Sequence, residues 1–282
     1  ISKRVNIYLN NYLSKFNSSE LVPPMKYGLF PGGKKIRSKI IFDVGSMFNL
    51  KKKNLTILAA SVEAIHAYSL IHDDLPCMDD DNLRRGKPSA HVKFGESTAI
   101  LAGNSLLTTA FEILSDKNFK VEEKIKSNLI NLLSRCSGQT GIAGGQYLDL
   151  SYEKKKVSLK KILNMELKKT GKLFEFCCLA PLLIKKNKKN LKSFSKIGKD
   201  IGLLFQIVDD LIDFKGKTKL VGKKTRKDNK KGKATIISLL GYENAVKYAN
   251  KLKQNVNKNL QPYNNKSNDL IETINFIMER NK

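Results

Sequence analysis

The chain has 282 residues, 41% of them hydrophobic, with 52 Lys or Arg against 26 Asp or Glu, for a formal net charge of +26. That length supports a sizeable core, while four cysteines without a CxxC spacing and three histidines argue against a disulfide framework and a zinc site. The basic excess lies in scattered runs such as "KKKN" and "IKKNKKNLK", without the interleaved aromatics of a base-stacking groove, so we read it as solvated surface and expect no nucleic-acid partner.

The first segment, "ISKRVNIYLN", has no apolar signal core, and no apolar run reaches the ~18 to 20 residues that span a bilayer. The expectation is a cytoplasmic protein with no membrane span. Next comes "FPGGKKIRSK", where Lys34 and Arg37 follow a Gly-Gly turn. Glycine lets backbone approach an anion, and the two cations lie one turn apart on the helix that follows. The stretch lacks the GxxxxGK[ST] pattern and is weak on its own.

"LTILAASVEAIHAYSLIHDD" has helical apolar spacing from Leu55. It runs into "LPCMDDDNLRRG", so that Asp73, Asp74, Asp79, Asp80 and Asp81 are followed at once by Arg84 and Arg85. Pro76 disfavours helix at Leu75, which predicts a break that lets Asp79 loop back toward Asp73. Carboxylates this close repel one another, so they are either solvated as an acidic loop or neutralised by cations. Sparse oxygen ligands opposite an arginine pair suit Mg²⁺ carrying a phosphorylated substrate. His66, seven residues before Asp73, lies on nearly the same helix face.

Further helical patterns cover "STAILAGNSLLTTAFEILSD", "EKIKSNLINLLSRCSGQTGIAGGQYLDL", "SLKKILNMELKKTGKLFEFCCLAPLLI" and "FSKIGKDIGLLFQIVDDLIDF". Gly171, in "KKTG", permits a kink that would turn backbone dipoles toward a cavity. In "FQIVDDLIDF" the i, i+4 spacing sets Asp209 and Asp213 on one face, able to share a divalent cation at the end of an apolar helix. Hairpin signals with alternating flanks are missing. The fold expectation is all-α, a single domain over 1–282 built as a large bundle around a central cavity.

"GGKKIR", "IHAYSLIHDDLPCMDDDNLRRGKPSAH", "GGQYLDL", "KKTGKLFEF", "FQIVDDLID" and "GKKTRKDNKKGKAT" occur in the order and spacing of the trans-isoprenyl diphosphate synthases, and over about residues 25 to 242 the chain resembles their short-chain farnesyl and geranylgeranyl members. The resemblance implies the isoprenoid synthase type I fold, a homodimer, and Mg²⁺-dependent condensation of isopentenyl diphosphate with allylic diphosphates. It implies that Asp73, Asp74, Asp79, Asp209 and Asp213 hold three Mg²⁺ ions around the allylic diphosphate, with Arg84, Lys169, Lys223 and Lys233 contacting it. Lys34, Arg37, His66 and Arg85 would bind isopentenyl diphosphate. Thr170 and Gln206 would lie near the developing carbocation together with Lys169, and Gln146 and Asp149 would support them.

Ser38 stands where many relatives have proline, and Ile36 where leucine is common; neither removes a ligand. The resemblance assigns Tyr68 and Ser69 to the floor of the tail pocket. The helical wheel sets Ser69 beneath Asp73 but offsets Tyr68, whose alternative is an ordinary core aromatic. An aromatic there resembles the C15-forming enzymes, so the expected product is farnesyl diphosphate, with geranylgeranyl diphosphate or a class I terpene cyclase as alternatives. A cyclase needs no isopentenyl diphosphate site, and the cations of "GGKKIR" therefore favour chain elongation.

Overall fold

Apolar side chains at helical spacing become helices along nearly the whole chain. The computed structural model describes residues 1–220 and 235–280, without the side chains of 216–220. Helices α1 (Ser2–Leu13), α2 (Val22–Leu29), α3 (Ile36–Met47) and α4 (Lys52–Asp73) lead to a two-residue hairpin, β1 (Leu83–Arg84) with β2 (Lys87–Pro88). There follow α5 (Ala90–Phe94), α6 (Glu96–Ser115), α7 (Glu123–Ser137), α8 (Ile142–Tyr152), α9 (Leu159–Glu166) and α10 (Lys172–Ile184). Beyond them lie α11 (Leu191–Leu220), α12 (Ile236–Leu240), α13 (Tyr242–Leu260) and α14 (Asn268–Glu279). The all-α expectation holds.

The hairpin was not legible, because its strands are too short to alternate. It closes on Arg85 (φ 53°) and Gly86 (φ 77°), the two left-handed positions that a two-residue hairpin turn with the right twist requires. Two other expected boundaries shift. The pattern over 123–150 is two helices, parted at Gly138–Gly141, where a Cβ on Gly141 would stand 1.8 Å from the Cys136 carbonyl oxygen. Asp209 and Asp213 do not end their helix, since α11 continues to Leu220.

The chain divides into two compact units, Ile1–Leu133 with Ala180–Asn187, and Ser134–Leu179 with Lys188–Lys282. In the first, α4 is the central helix, with α1, α2, α3 and α6 packed on it. Every residue from Leu55 to Ile65 is buried, so this helix is apolar all round. It is also the one described helix long and apolar enough to cross a membrane, and 83% of its apolar window is buried inside the protein. The helix stops at Asp73, just ahead of Pro76. The chain then doubles back: the Asp79 amide donates to the Asp73 carbonyl (2.8 Å) and the Asp81 amide to the Asp74 carbonyl (3.1 Å).

In the second unit α11 takes the central role, packed by α12, α13, α14 and a π-helical turn, Leu167–Gly171, between α9 and α10. The kink expected at Gly171 is this π turn, a local widening common at functional sites. Glycines let backbones touch around it. A Cβ on Gly202 of α11 would lie 2.5 Å from the Gly171 Cα, and one on Gly145 of α8 would lie 2.2 Å from the Lys169 amide nitrogen. Since the obstacle is backbone, Gly202→Ala should destabilise the protein by about 1–3 kcal/mol, as overpacked cores do. Urea unfolding of the variant checks this, and an unchanged midpoint would show that the helices can part without cost.

Candidate active site

Three of the expected anion-binding residues of the first unit, Arg37, His66 and Arg85, come together. Gly33 (φ 112°) adopts a backbone conformation that favours glycine, and it lies against the Arg85 guanidinium, 2.1 Å from where a Cβ would stand. Lys34 follows on the exposed side. Arg37, in the first turn of α3, points its Nη1 at His66 Nε2 on α4, 3.2 Å away. An arginine can only donate, so His66 accepts at Nε2 and is neutral. Burial and the Arg37, Arg85, Lys35 and Arg84 charges, in that order, hold its pKa well below the usual value of 6.5. The cluster is a concentration of positive charge with a neutral imidazole at its centre.

That density is anchored by a residue the sequence did not single out. Lys35, left-handed at the start of α3 (φ 45°), reaches Glu63 Oε2 at 3.3 Å, while Ser38 Oγ donates to Glu63 Oε1 at 2.6 Å. Glu63 is buried on α4, where an unpaired carboxylate would be costly. The departure at Ser38 thereby acquires a role, supplying a hydrogen bond that proline could not.

At the other end of α4 the aspartates divide. Asp74 is buried and engaged by Arg84, whose Nε lies 3.0 and 3.2 Å from the two carboxylate oxygens and whose Nη2 also bonds Oδ1. Burial raises the Asp74 pKa against the pull of this guanidinium. Asp73 and Asp79 are joined through the backbone bond that turns the loop, and both are partly exposed. Arg84 is thus paired within the protein, where the sequence suggested that both arginines face an outside anion. A pocket adjoins the pair, with Tyr27, Phe30, Leu70 and Ile71 in its wall. Tyr68 and Ser69 are buried on α4; Tyr68 meets the His72 ring edge-on at 5.5 Å, and Ser69 Oγ donates to the His66 carbonyl at 3.0 Å.

In the second unit the π turn presents Lys169 and Thr170. Lys169 Nζ is 2.7 Å from Asp149 Oδ2 on α8. Thr170 Oγ1 donates to Gln206 Oε1 (3.2 Å), and Gln206 Nε2 donates to Asp210 Oδ1 (3.0 Å), forming a relay from the π turn onto α11. Gln146, one turn before Asp149, is buried with neither amide atom hydrogen-bonded. Asp209 Oδ1 lies 2.7 Å from Arg280 Nη2. Arg280 had no sequence signal: it is 71 positions away, and only the packing of α14 on α11 brings it there. Lys223 and Lys233 lie outside the described residues.

Comparison with known proteins decides the family. Residues 18–274 match the polyprenyl synthetase family model. The chain belongs to the polyprenyl synthetase family. It is 40% identical to the farnesyl diphosphate synthase of Escherichia coli (strain K12) over 99% of this chain and 96% of that one. It is 35% identical to a geranylgeranyl diphosphate synthase of Cyanophora paradoxa, over 97% and 92%. Among solved structures, an FPP/GFPP synthase from Zymomonas mobilis superposes with TM-score 0.86 at 34% identity, over 98% of this chain and 96% of that one. The fold expected from the motifs is therefore that of the family.

The family's second aspartate motif contains an ionisation the motif does not announce. Burial, and then the neighbouring Asp213 and Asp209 charges, push the Asp210 pKa up to about 7 despite the hydrogen bond from Gln206. A carboxyl whose pKa is higher folded than unfolded binds more protons folded, so its stabilising contribution is complete at low pH and is lost as pH rises from about 4 toward 7. In metal-free protein the stability of wild type relative to Asp210→Asn should fall across that window. Urea unfolding of both at pH 4.5 and 7.5 measures it, and a pH-independent difference would overturn the assignment.

Proposed function

We propose that the chain is a farnesyl diphosphate synthase, a prenyltransferase joining isopentenyl diphosphate head-to-tail to C5 and C10 allylic diphosphates. The observation that carries this reading is the cationic cluster of Arg37, His66 and Arg85, because a second anion site is what separates chain elongation from cyclisation. The polyprenyl synthetase match over residues 18–274 supports taking both units as one domain, and we read the protein as cytoplasmic and homodimeric.

In this reading Lys34, Arg37 and Arg85 neutralise the diphosphate of isopentenyl diphosphate, and neutral His66 donates its remaining N–H. Arg84 and Lys169, with Lys223 and Lys233, serve the allylic diphosphate. The first two are held in place by ion pairs to Asp74 and Asp149. Asp73, Asp74 and Asp79, with Asp209 and Asp213, carry Mg²⁺. Among the described residues no group of three or more such side chains forms a cation cage. Mg²⁺ keeps waters and takes one or two carboxylates plus substrate phosphate, which suits sparse oxygen ligands such as these. When bound, Mg²⁺ supplies Lewis-acid neutralisation of the leaving diphosphate.

The allylic C–O bond then breaks with its electron pair leaving on oxygen, the isopentenyl double bond attacks the cation, and a proton is lost. Thr170 Oγ1 and Gln206 Oε1, fixed to each other, offer oxygen dipoles to the developing positive charge. No side-chain nucleophile is needed.

Purified protein given isopentenyl and geranyl diphosphates with Mg²⁺ should yield mainly C15 product by chromatography; mainly C20 would instead match the geranylgeranyl relatives. Asp73→Ala or Asp209→Ala should cut turnover by orders of magnitude while the protein stays folded. A charge-assisted contact is worth ~1.5 to 3 kcal/mol, so Arg37→Ala should raise KM for isopentenyl diphosphate about tenfold or more and leave that for the allylic substrate nearly unchanged. Tyr68→Ala should lengthen the product toward C20, and an unaltered C15 profile would return Tyr68 to the ordinary core.

A further inference from the structure

Among the described residues, Arg280 is the most enclosed cation of the second unit's candidate site, with only 8% of its side chain exposed. Its guanidinium carbon lies 3.8 Å above the centre of the Phe205 ring, and its Nη2 donates both to the Phe205 carbonyl (2.7 Å) and to Asp209 Oδ1 (2.7 Å). The ring and the carbonyl belong to the turn of α11 just before Asp209, so the guanidinium is fixed by three contacts to one turn. A surface arginine forming a chance ion pair would have the carboxylate alone. Burial lowers the Arg280 pKa from a value so high that the group stays charged. A fixed positive charge therefore sits on an oxygen of a carboxylate that the proposed function assigns to Mg²⁺.

We propose that Arg280 is a positioning residue for Asp209 that also acts as its resident counter-ion, lowering the affinity of this cluster for a bare divalent cation so that the metal is held tightly only together with a diphosphate. The inference rests on the metal assignment of Asp209 made above. The physical step is short. A dication and a guanidinium sharing one carboxylate repel each other, and in a largely aqueous dielectric that repulsion costs the cation roughly tenfold in affinity. A diphosphate adds negative charge on the far side of the metal and outweighs that cost. Arg280 touches no substrate in this account.

The test is Mn²⁺ binding to substrate-free protein, by titration calorimetry and by the loss of free-ion EPR signal. Arg280→Gln and Arg280→Met remove the charge, the second keeping an apolar stem on Phe205; thermal unfolding shows which remain folded. A folded neutral variant should bind Mn²⁺ about tenfold more tightly than wild type, whereas Arg280→Lys should stay near wild type. The gain should vanish in the Asp209→Ala background, which assigns it to this carboxylate and not to the first cluster. A merely structural role predicts weaker binding or none gained, and either result overturns the proposal.

A measurement on the wild-type protein keeps the test open if neither neutral variant folds. By reciprocity, Mn²⁺ must loosen the ion pair. Hydrogen exchange at the Arg280 amide, now bonded to the Phe276 carbonyl at 3.1 Å, should quicken as Mn²⁺ is added, and unchanged exchange at saturation would also overturn it. Product formation by wild type with unaltered Mn²⁺ affinity in the variants would sink this inference alone. Absence of C15 or C20 product would sink the proposed function instead.

Discussion

A carboxylate carried inward on an apolar helix has to meet a cation there or give up its charge, and the arrangement of the site follows from that constraint. An unpaired buried charge costs several kcal/mol, more than any single packing contact returns. Within the first unit Glu63 meets Lys35 and Asp74 meets Arg84; within the second Asp149 meets Lys169 and Asp209 meets Arg280. Each pair links the helix bearing the acid to an element distant or separate in sequence: the loop before α3, the hairpin, the π turn, the segment after α14. Removing one partner would strand the other, so these pairs lock loops to helices even where their net contribution to stability is small.

The same constraint explains what could be read from the sequence and what could not. Helices were legible because period 3.6 is a local property: α4 and α11 stand where the apolar spacing sets them, and Pro76 ends the first close to where proline chemistry requires. Acidic and basic site residues were legible because they cluster in sequence around glycine and proline. Partners across the fold were not. Nothing near Ser38 says that its hydroxyl will bond Glu63, and nothing near Arg280 says that it will reach Asp209, since those contacts depend on how helices cross. The hairpin escaped for another reason, its strands being two residues each, too short for any alternation to register. Cys77 is exposed because it lies in the loop that follows the break at Pro76.

Neighbouring residues of one motif meet different environments, and this is how similar side chains come to differ in charge. On α11, Asp209 is 41% exposed and paired with a guanidinium, while Asp210 turns inward, takes a hydrogen bond from Gln206 and rises to a pKa of about 7. At the end of α4 the first aspartate is again the more exposed, Asp73 being partly exposed and Asp74 buried, but here the arginine pairs with the buried member. The offset of about 100° between successive residues of a helix points neighbouring side chains in different directions, so the two can meet different surroundings. A repeated "DD" therefore supplies two carboxylates that differ in exposure and in partner.

The large positive charge of the chain bears on the site only through such local pairs. Most of the 52 basic residues lie on solvated faces, where salt screens them within about 10 Å. In the proposed function a diphosphate would meet the short-range field of a few fixed cations, whose positions are set by buried acids: Glu63 holds Lys35 beside Arg37 and His66, and Asp149 holds Lys169 at the π turn. A lysine freed from its acid would gain charge but lose its position, because a flexible four-carbon stem has to be ordered again for every anion bound. Charge balanced inside the protein is in this sense what allows charge to be aimed.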